Sequence, residues 1–186
     1  RVGFADRLRA ICHEVGFFQL VDHGVDTEFV DDYFAALQRF FELPEATKAQ
    51  IEKIDSPWFR GWERVGAELT DNNVDFREQI DVWTDLPPRP RDVVPPYLRL
   101  DGPNQWLPEE TLPGFRSLVE RFQHEMGAIG DELMSAMCVG LGLAPDHPQK
   151  VFGERPPSLV KLIHYPATPV GGAGVNSHHD AGFLTL

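Results

Sequence analysis

Only two cysteines, Cys12 and Cys138, occur in the 186 residues, so the disulfide framework that props up many small secreted folds is excluded. Both fall on apolar stripes of predicted helices and are expected to be buried free thiols. Basic residues are also scarce: 17 Lys and Arg stand against 29 Asp and Glu, for a net charge of −12. That balance repels phosphate backbones and offers no basic patch to nucleic acid or anionic lipid, which leaves a small molecule as the expected partner. No apolar run approaches the roughly 20 residues of a membrane span. The opening residues read as a helix rather than as a charged-then-apolar leader, so the expectation is a soluble, cytoplasmic protein. At 42% hydrophobic and 25% charged, the composition is that of one globular domain or a large piece of one. A piece is the expectation, because Arg1-Val2-Gly3 runs straight into a helical pattern and Ala181 to Leu186 breaks off inside a strand-like one.

What is present is clearly periodic. Phe4, Leu8, Ile11, Cys12 and Val15 hold helical spacing over 4 to 15, with Gly16 placed to end the helix. Residues 17 to 21 read as a buried strand closed by Asp22-His23-Gly24, and 27 to 41 as an amphipathic helix, with Pro44 opening another short one. Scattered aromatics, glycines and prolines fill 56 to 106, around one predicted strand at 75 to 83 that alternates apolar at Phe76, Ile80 and Val82. A long helix is predicted from 112 to 143 by Phe115, Leu118, Val119, Phe122, Met126, Ile129, Leu133, Met137 and Leu141, and this stripe is read as core. Thereafter the period is two: a strand at 159 to 164, a glycine-rich turn at 171 to 174, and strands at 175 to 180 and 183 to 186. Helices in front and short strands behind suggest an all-β barrel or jelly roll buttressed by helices.

The segment richest in chemistry is Gly174-Val-Asn-Ser-His-His-Asp-Ala-Gly182. On a strand, residues i and i+2 share a face, so His178 and Asp180 would project together and His179 away. An imidazole nitrogen and a carboxylate oxygen at that spacing make two-thirds of a facial triad, a ligand set that suits Fe(II) because it leaves positions open for a chelating co-substrate and dioxygen. On spacing alone, a hydrogen-bonded pair that organises the turn at Ala181-Gly182 is the more common arrangement.

Four segments together resemble the isopenicillin N synthase-like Fe(II)/2-oxoglutarate-dependent dioxygenases. Cys12 to Val25 resembles the family's amino-terminal signature. Arg60-Gly-Trp62, Glu68-Leu-Thr70 and Asp75-Phe-Arg-Glu-Gln79 resemble the next segment of the family pattern, and Gly102 to Trp106 is similar to a tract before the long helix. Lys161-Leu-Ile-His-Tyr-Pro166 and Val175 to Leu186 resemble the tyrosine-proline strand and the metal strand. The resemblance implies an α+β protein built on a double-stranded β-helix (jelly roll) braced by helices and incomplete at its C-terminal end. In that reading residues 1–110 are the amino-terminal helical and irregular region, 111–157 the long helix and connector, and 158–186 the start of the β-helix. It further implies Fe(II) held by His178, Asp180 and a distal His, 2-oxoglutarate chelating the metal with Tyr165 holding its far carboxylate, and dioxygen as oxidant. The reaction implied is oxidation of a small organic substrate, by hydroxylation, desaturation or cyclisation, with release of succinate and CO2.

Departures from the pattern leave two alternatives. Ile163 stands where many members carry Asn, which keeps open a 2-oxoglutarate-independent oxidase of the same family. The distal His and the Arg-x-Ser that clamps the oxoacid would lie beyond Leu186, so a non-catalytic scaffold is the reading from another class, and these residues alone are expected to be inactive. His13, His23, His124 and His147 are read as structural, the last in a loop. Arg60, Arg77 and Lys161 are candidates for recognising an anionic substrate, with ion pairing to neighbours such as Glu78 as the simpler role.

Overall fold

Two of the amphipathic segments fold as helices at nearly the expected bounds in the computed structural model, which describes residues 2–153, 157–168, 171–180 and 182–186. Helix α1 spans Val2–Glu14 and α2 spans Thr27–Phe41. Gly16, at φ 82°, closes α1 by donating its N–H to the Ile11 carbonyl at 3.0 Å. Asp26 caps α2, its carboxylate accepting from the Glu28 N–H at 3.0 Å. The buried side of α2 is Phe29, Tyr33, Ala36 and Phe40, a stripe at helical spacing. A short helix α3 (Glu45–Lys48) starts at Pro44 and runs into single 3-10 turns at Ala49–Ile51 and Lys53–Asp55, which carry Lys48 and Lys53 into the interior.

Five strands come next in the described chain: β1 (Gly61–Glu63), β2 (Leu69–Thr70), β3 (Asn73–Val74), β4 (Glu78–Trp83) and β5 (Leu159–His164). Antiparallel β1, β4 and β5 form one sheet in that order, while β2 and β3 make a separate hairpin. The sheet's register stacks Trp62, Ile80 and Leu162 across three strands, all buried. Against them pack Phe40 and α4 (Phe115–Gly140). The rings of Phe40 and Phe115 stack at 5.2 Å, and those of Tyr33 and Phe122 at 4.0 Å. Helix α1 lies across the other end of α4, where a Cβ at Gly140 would stand 2.6 Å from the Ala5 carbonyl oxygen, so only glycine permits the approach.

Several expectations need correction. The stretch 17 to 21 is not a buried strand: it forms no ladder, with Phe17 84% and Val21 73% exposed. A strand requires a partner for its backbone groups, and among the described residues none pairs with it. Residues 175 to 180 and 183 to 186 likewise form no ladder. The long helix is three residues shorter at each end than 112 to 143, bounded by Gly114 at φ 77° and by Gly142 at φ 76°, after which Leu143 donates back to the Cys138 carbonyl at 2.8 Å. His147 is the first residue of a helix, α5 (His147–Phe152), rather than a loop residue. Both thiols are free, but Cys12 is only half-buried. No helix among the described residues is long and apolar enough to cross a membrane.

Strand β4 is buried on both faces, polar residues included. Glu78 tolerates burial because the donors around it converge: Lys48 Nζ at 2.6 Å, the Trp62 indole N–H at 2.8 Å and His164 Nδ1 at 2.9 Å. On the opposite face Lys53 bridges Asp81 at 2.7 Å and Glu63 at 3.0 Å. Burial pushes Glu78 up, but the hydrogen bonds from Lys48, His164 and Trp62 outweigh it and hold the carboxyl below its usual range. A depressed carboxyl contributes stability that is present above the unfolded-state pKa and is lost as pH falls through the folded value. In the full-length protein, Glu78→Gln is therefore expected to lose about 3–5 kcal/mol at neutral pH by stranding Lys48. Its deficit against wild type should shrink below about pH 4, as measured by urea unfolding at stepped pH; a deficit constant with pH would contradict the assignment.

Candidate metal centre

A two-residue turn sets up the site. Asp71 (φ 51°) and Asn72 (φ 60°) take the positive φ that such hairpin loops require, reversing β2 into β3. The reversal returns the chain beside Thr70, whose hydroxyl donates to Asp75 Oδ2 at 2.6 Å. Asp75 has no exposed surface. Its Oδ1 accepts twice from Asn176, from the backbone N–H at 3.0 Å and from the side-chain amide at 2.8 Å, and Arg77 stands 3.3 Å from Oδ2. Burial raises the Asp75 carboxyl, yet the hydrogen bonds from Thr70 and Asn176 and the charge of Arg77 bring it below the usual carboxylate range. One further bond, Phe76 N–H to the Ala173 carbonyl at 3.1 Å, ties the same junction to the glycine-rich segment.

That staple brings the sequence-predicted residues into one neighbourhood. From Asn176 the carbonyl accepts from His178 Nδ1 at 2.8 Å, and His178 Nε2 stands 3.2 Å from Asp180 Oδ1. In the other direction, Arg77 Nη1 reaches the Tyr165 hydroxyl at 3.5 Å, a long contact, while Arg77 Nη2 pairs with Glu68 at 2.6 Å. Tyr165 is 48% exposed, and its ring covers Gly174. His178 and Asp180 do face each other as the spacing required, but the local hydrogen bond to Asn176, not a strand pleat, achieves it. Both are substantially exposed, at 42% and 65% of their side chains.

The chemistry of this pair admits a metal cation. A carbonyl oxygen only accepts, so Nδ1 of His178 carries the hydrogen in that bond, and Nε2 is the nitrogen that faces the carboxylate oxygen, able to share a proton with it or to offer a lone pair to a metal ion. Two acceptors 3.2 Å apart need a proton or a metal ion between them. Donors at about 2.0–2.2 Å from one ion and at right angles lie about 2.8–3.1 Å apart, so the residues present fit two neighbouring positions of a metal site. Among the described residues no group of three His, Cys, Asp or Glu could hold an ion. Asp180 also helps line a cleft of about 620 Å³, walled by Phe17, Phe18, Met126, Ile129 and Phe183.

The other candidates take structural places. Arg60 donates to the Trp58 and Leu100 carbonyls and covers the Trp83 ring. Arg77 and Lys161 share Glu68, and Lys161 stands 3.5 Å from Asp81 as well. The Nδ1 of His23 accepts from the Val25 N–H, a turn role as expected. Asp75 and Asn176 were not singled out as site residues. Asn176 carried a usable signal, since it stands two residues before His178.

The pattern of the family described as the N-terminal region of non-haem dioxygenases in morphine synthesis matches residues 1–109. The chain belongs to this non-haem dioxygenase family. It is similar to the 2-oxoglutarate-dependent dioxygenase frbJ of Dothideomycetidae sp. (strain 11243), with 34% identity over 96% of the chain and 49% of the relative. Its fold matches that of a full-length Neurospora crassa protein solved in complex with alpha-KG, at a TM-score of 0.75 and 23% identity over 97% of the chain and 56% of that protein. A 2OG-Fe(II) oxygenase family protein from Caulobacter crescentus matches at 0.72 and 27%, covering 90% and 53% respectively. The chain spans about half the length of the curated relatives it matches, the shares being 49%, 57% and 49%.

A Cβ at Gly174 would stand 2.7 Å from Tyr165 Cδ1, so Gly174→Ala is expected to displace the ring and cost about 1–3 kcal/mol. Gly127→Ala, in open space on α4, should instead stabilise by about 1 kcal/mol. Urea unfolding of the two variants compares them directly, and equal shifts would show that the Tyr165 packing is not restrictive.

Proposed function

We propose that the protein containing this chain is an Fe(II)- and 2-oxoglutarate-dependent oxygenase that hydroxylates, desaturates or cyclises a small organic substrate. The observation that carries the proposal is the His178 and Asp180 pair: Nε2 and Oδ1 stand 3.2 Å apart, with the outer imidazole nitrogen already committed to a carbonyl. Committing Nδ1 in this way fixes the tautomer and the orientation of the ring, as in metal sites generally. Similarity to proteins named 2-oxoglutarate-dependent dioxygenase supports the same class.

In this reading His178 and Asp180 supply two of the metal's donors, and Tyr165, beside Arg77, offers its hydroxyl to the far carboxylate of the oxoacid. Residues 1–110 and α4 brace the start of a jelly roll at 158–186, with β5 as its strand among the described residues. When bound, Fe(II) with 2-oxoglutarate supplies dioxygen activation coupled to decarboxylation of the oxoacid to succinate and CO2. The chain's own contribution is a donor pair held in one orientation and an apolar cleft against Asp180, of a size that suits a small organic ligand. The net charge of −12 leaves nucleic acid as an unsuitable partner.

Anaerobic titration of the full-length protein with Fe(II) and 2-oxoglutarate tests the reading. The weak visible band of an oxoacid–iron chelate is expected in wild type and absent in Asp180→Ala, and Tyr165→Phe should weaken 2-oxoglutarate by about five- to tenfold. Iron binding without the band would favour the oxidase alternative that Ile163 leaves open, and no iron binding would favour a scaffold.

A further inference from the structure

Asp75 lies outside the donor pair but is connected to it by an unbroken chain of hydrogen bonds. Thr70 and Arg77 occupy one carboxylate oxygen, which leaves Oδ1 for Asn176 alone. Asn176 thus has both its N–H and its amide held by a single buried atom, and the amide also reaches the Val74 carbonyl at 3.3 Å. With its N–H and side chain fixed, the Asn176 Cα is held and with it the point from which the next peptide starts; the carbonyl of that peptide accepts from His178 Nδ1 at 2.8 Å, which leaves one backbone torsion between the anchor and the imidazole.

We infer that Asp75 is a positioning residue for the metal site, acting through Asn176 to set the direction in which His178 presents Nε2. The inference rests on the proposed role of His178 as a ligand. A carboxylate with no exposed surface is a costly way merely to tether a loop, because Thr70, Arg77 and Asn176 must all meet it. The arrangement does what outer partners of metal ligands do, which is to hold the ring before the ion arrives. Anchored at Asn176 and closed by the His178 bond back to its carbonyl, the segment 176–178 carries the imidazole on a short tether that keeps it facing Asp180.

The test is Co(II) affinity and the Co(II) visible spectrum of the full-length protein, measured without oxygen or substrate. Asn176→Ala and Asp75→Asn are each expected to weaken Co(II) by about tenfold and to shift the visible bands at saturating metal. Because the two residues act in series, the double variant should be no weaker than the weaker single. The metal-free melting temperature of Asn176→Ala should stay within about 4 °C of wild type, which separates positioning from loss of fold; if Asp75→Asn does not fold, the Asn176→Ala result decides alone. Wild-type Co(II) affinity and spectrum in Asn176→Ala, or strictly multiplicative losses in the double variant, would overturn the inference. His178→Ala is expected to abolish Co(II) binding. If it binds Co(II) as wild type does, the ligand assignment itself fails and the positioning role falls with it.

Discussion

A carboxylate with no exposed surface must find a donor for each lone pair it keeps, and Asp75 does so by drawing together three parts of the chain. Thr70 comes from the β2–β3 hairpin, Arg77 from the approach to β4, and Asn176 from a segment 101 residues on. The bond from Phe76 to Ala173, the Asn176 amide on the Val74 carbonyl and the Tyr165 ring over Gly174 tie the same segment. The facing of His178 and Asp180 is downstream of this constraint.

The same logic of paired burial recurs within the three-stranded sheet. Strand β4 can be covered on both faces only because Glu78, Gln79 and Asp81 meet Lys48, Trp62, His164, Glu63 and Lys53. These polar contacts fix the register of β1, β4 and β5, since a one-residue slip would exchange the apolar face carrying Ile80 and Val82 for the charged one. The helices α2 and α4 close the apolar face through Phe40, Phe115 and Val119. Tyr165 comes directly after β5, so the register that buries Ile80 also fixes where the tyrosine emerges.

Helix α2 was legible because its stripe, its cap at Asp26 and its length all agree. So was β5, whose period of two runs from Leu159 to His164. The pairing of His178 with Asp180 was also legible, though for a different reason from the one that operates: a two-residue spacing pointed to a pleat, whereas a side chain to backbone hydrogen bond turns the ring. Residues 17 to 21 and 183 to 186 show the limit of pattern reading. Apolar and β-branched content reports suitability for a sheet, but a ladder also needs a neighbour, which no local window contains. Asp75 and Glu78 were illegible as buried groups because their partners lie up to 101 residues away.

The most direct test of a metal site at His178 and Asp180 is anomalous diffraction at the iron edge from crystals of the full-length protein, grown anaerobically with Fe(II) and 2-oxoglutarate. The account predicts a single iron peak between Nε2 of His178 and the carboxylate of Asp180, with the Asn176 carbonyl still on Nδ1. Iron elsewhere, or a direct proton-bridged contact between His178 and Asp180 with iron present in the crystal, would contradict it.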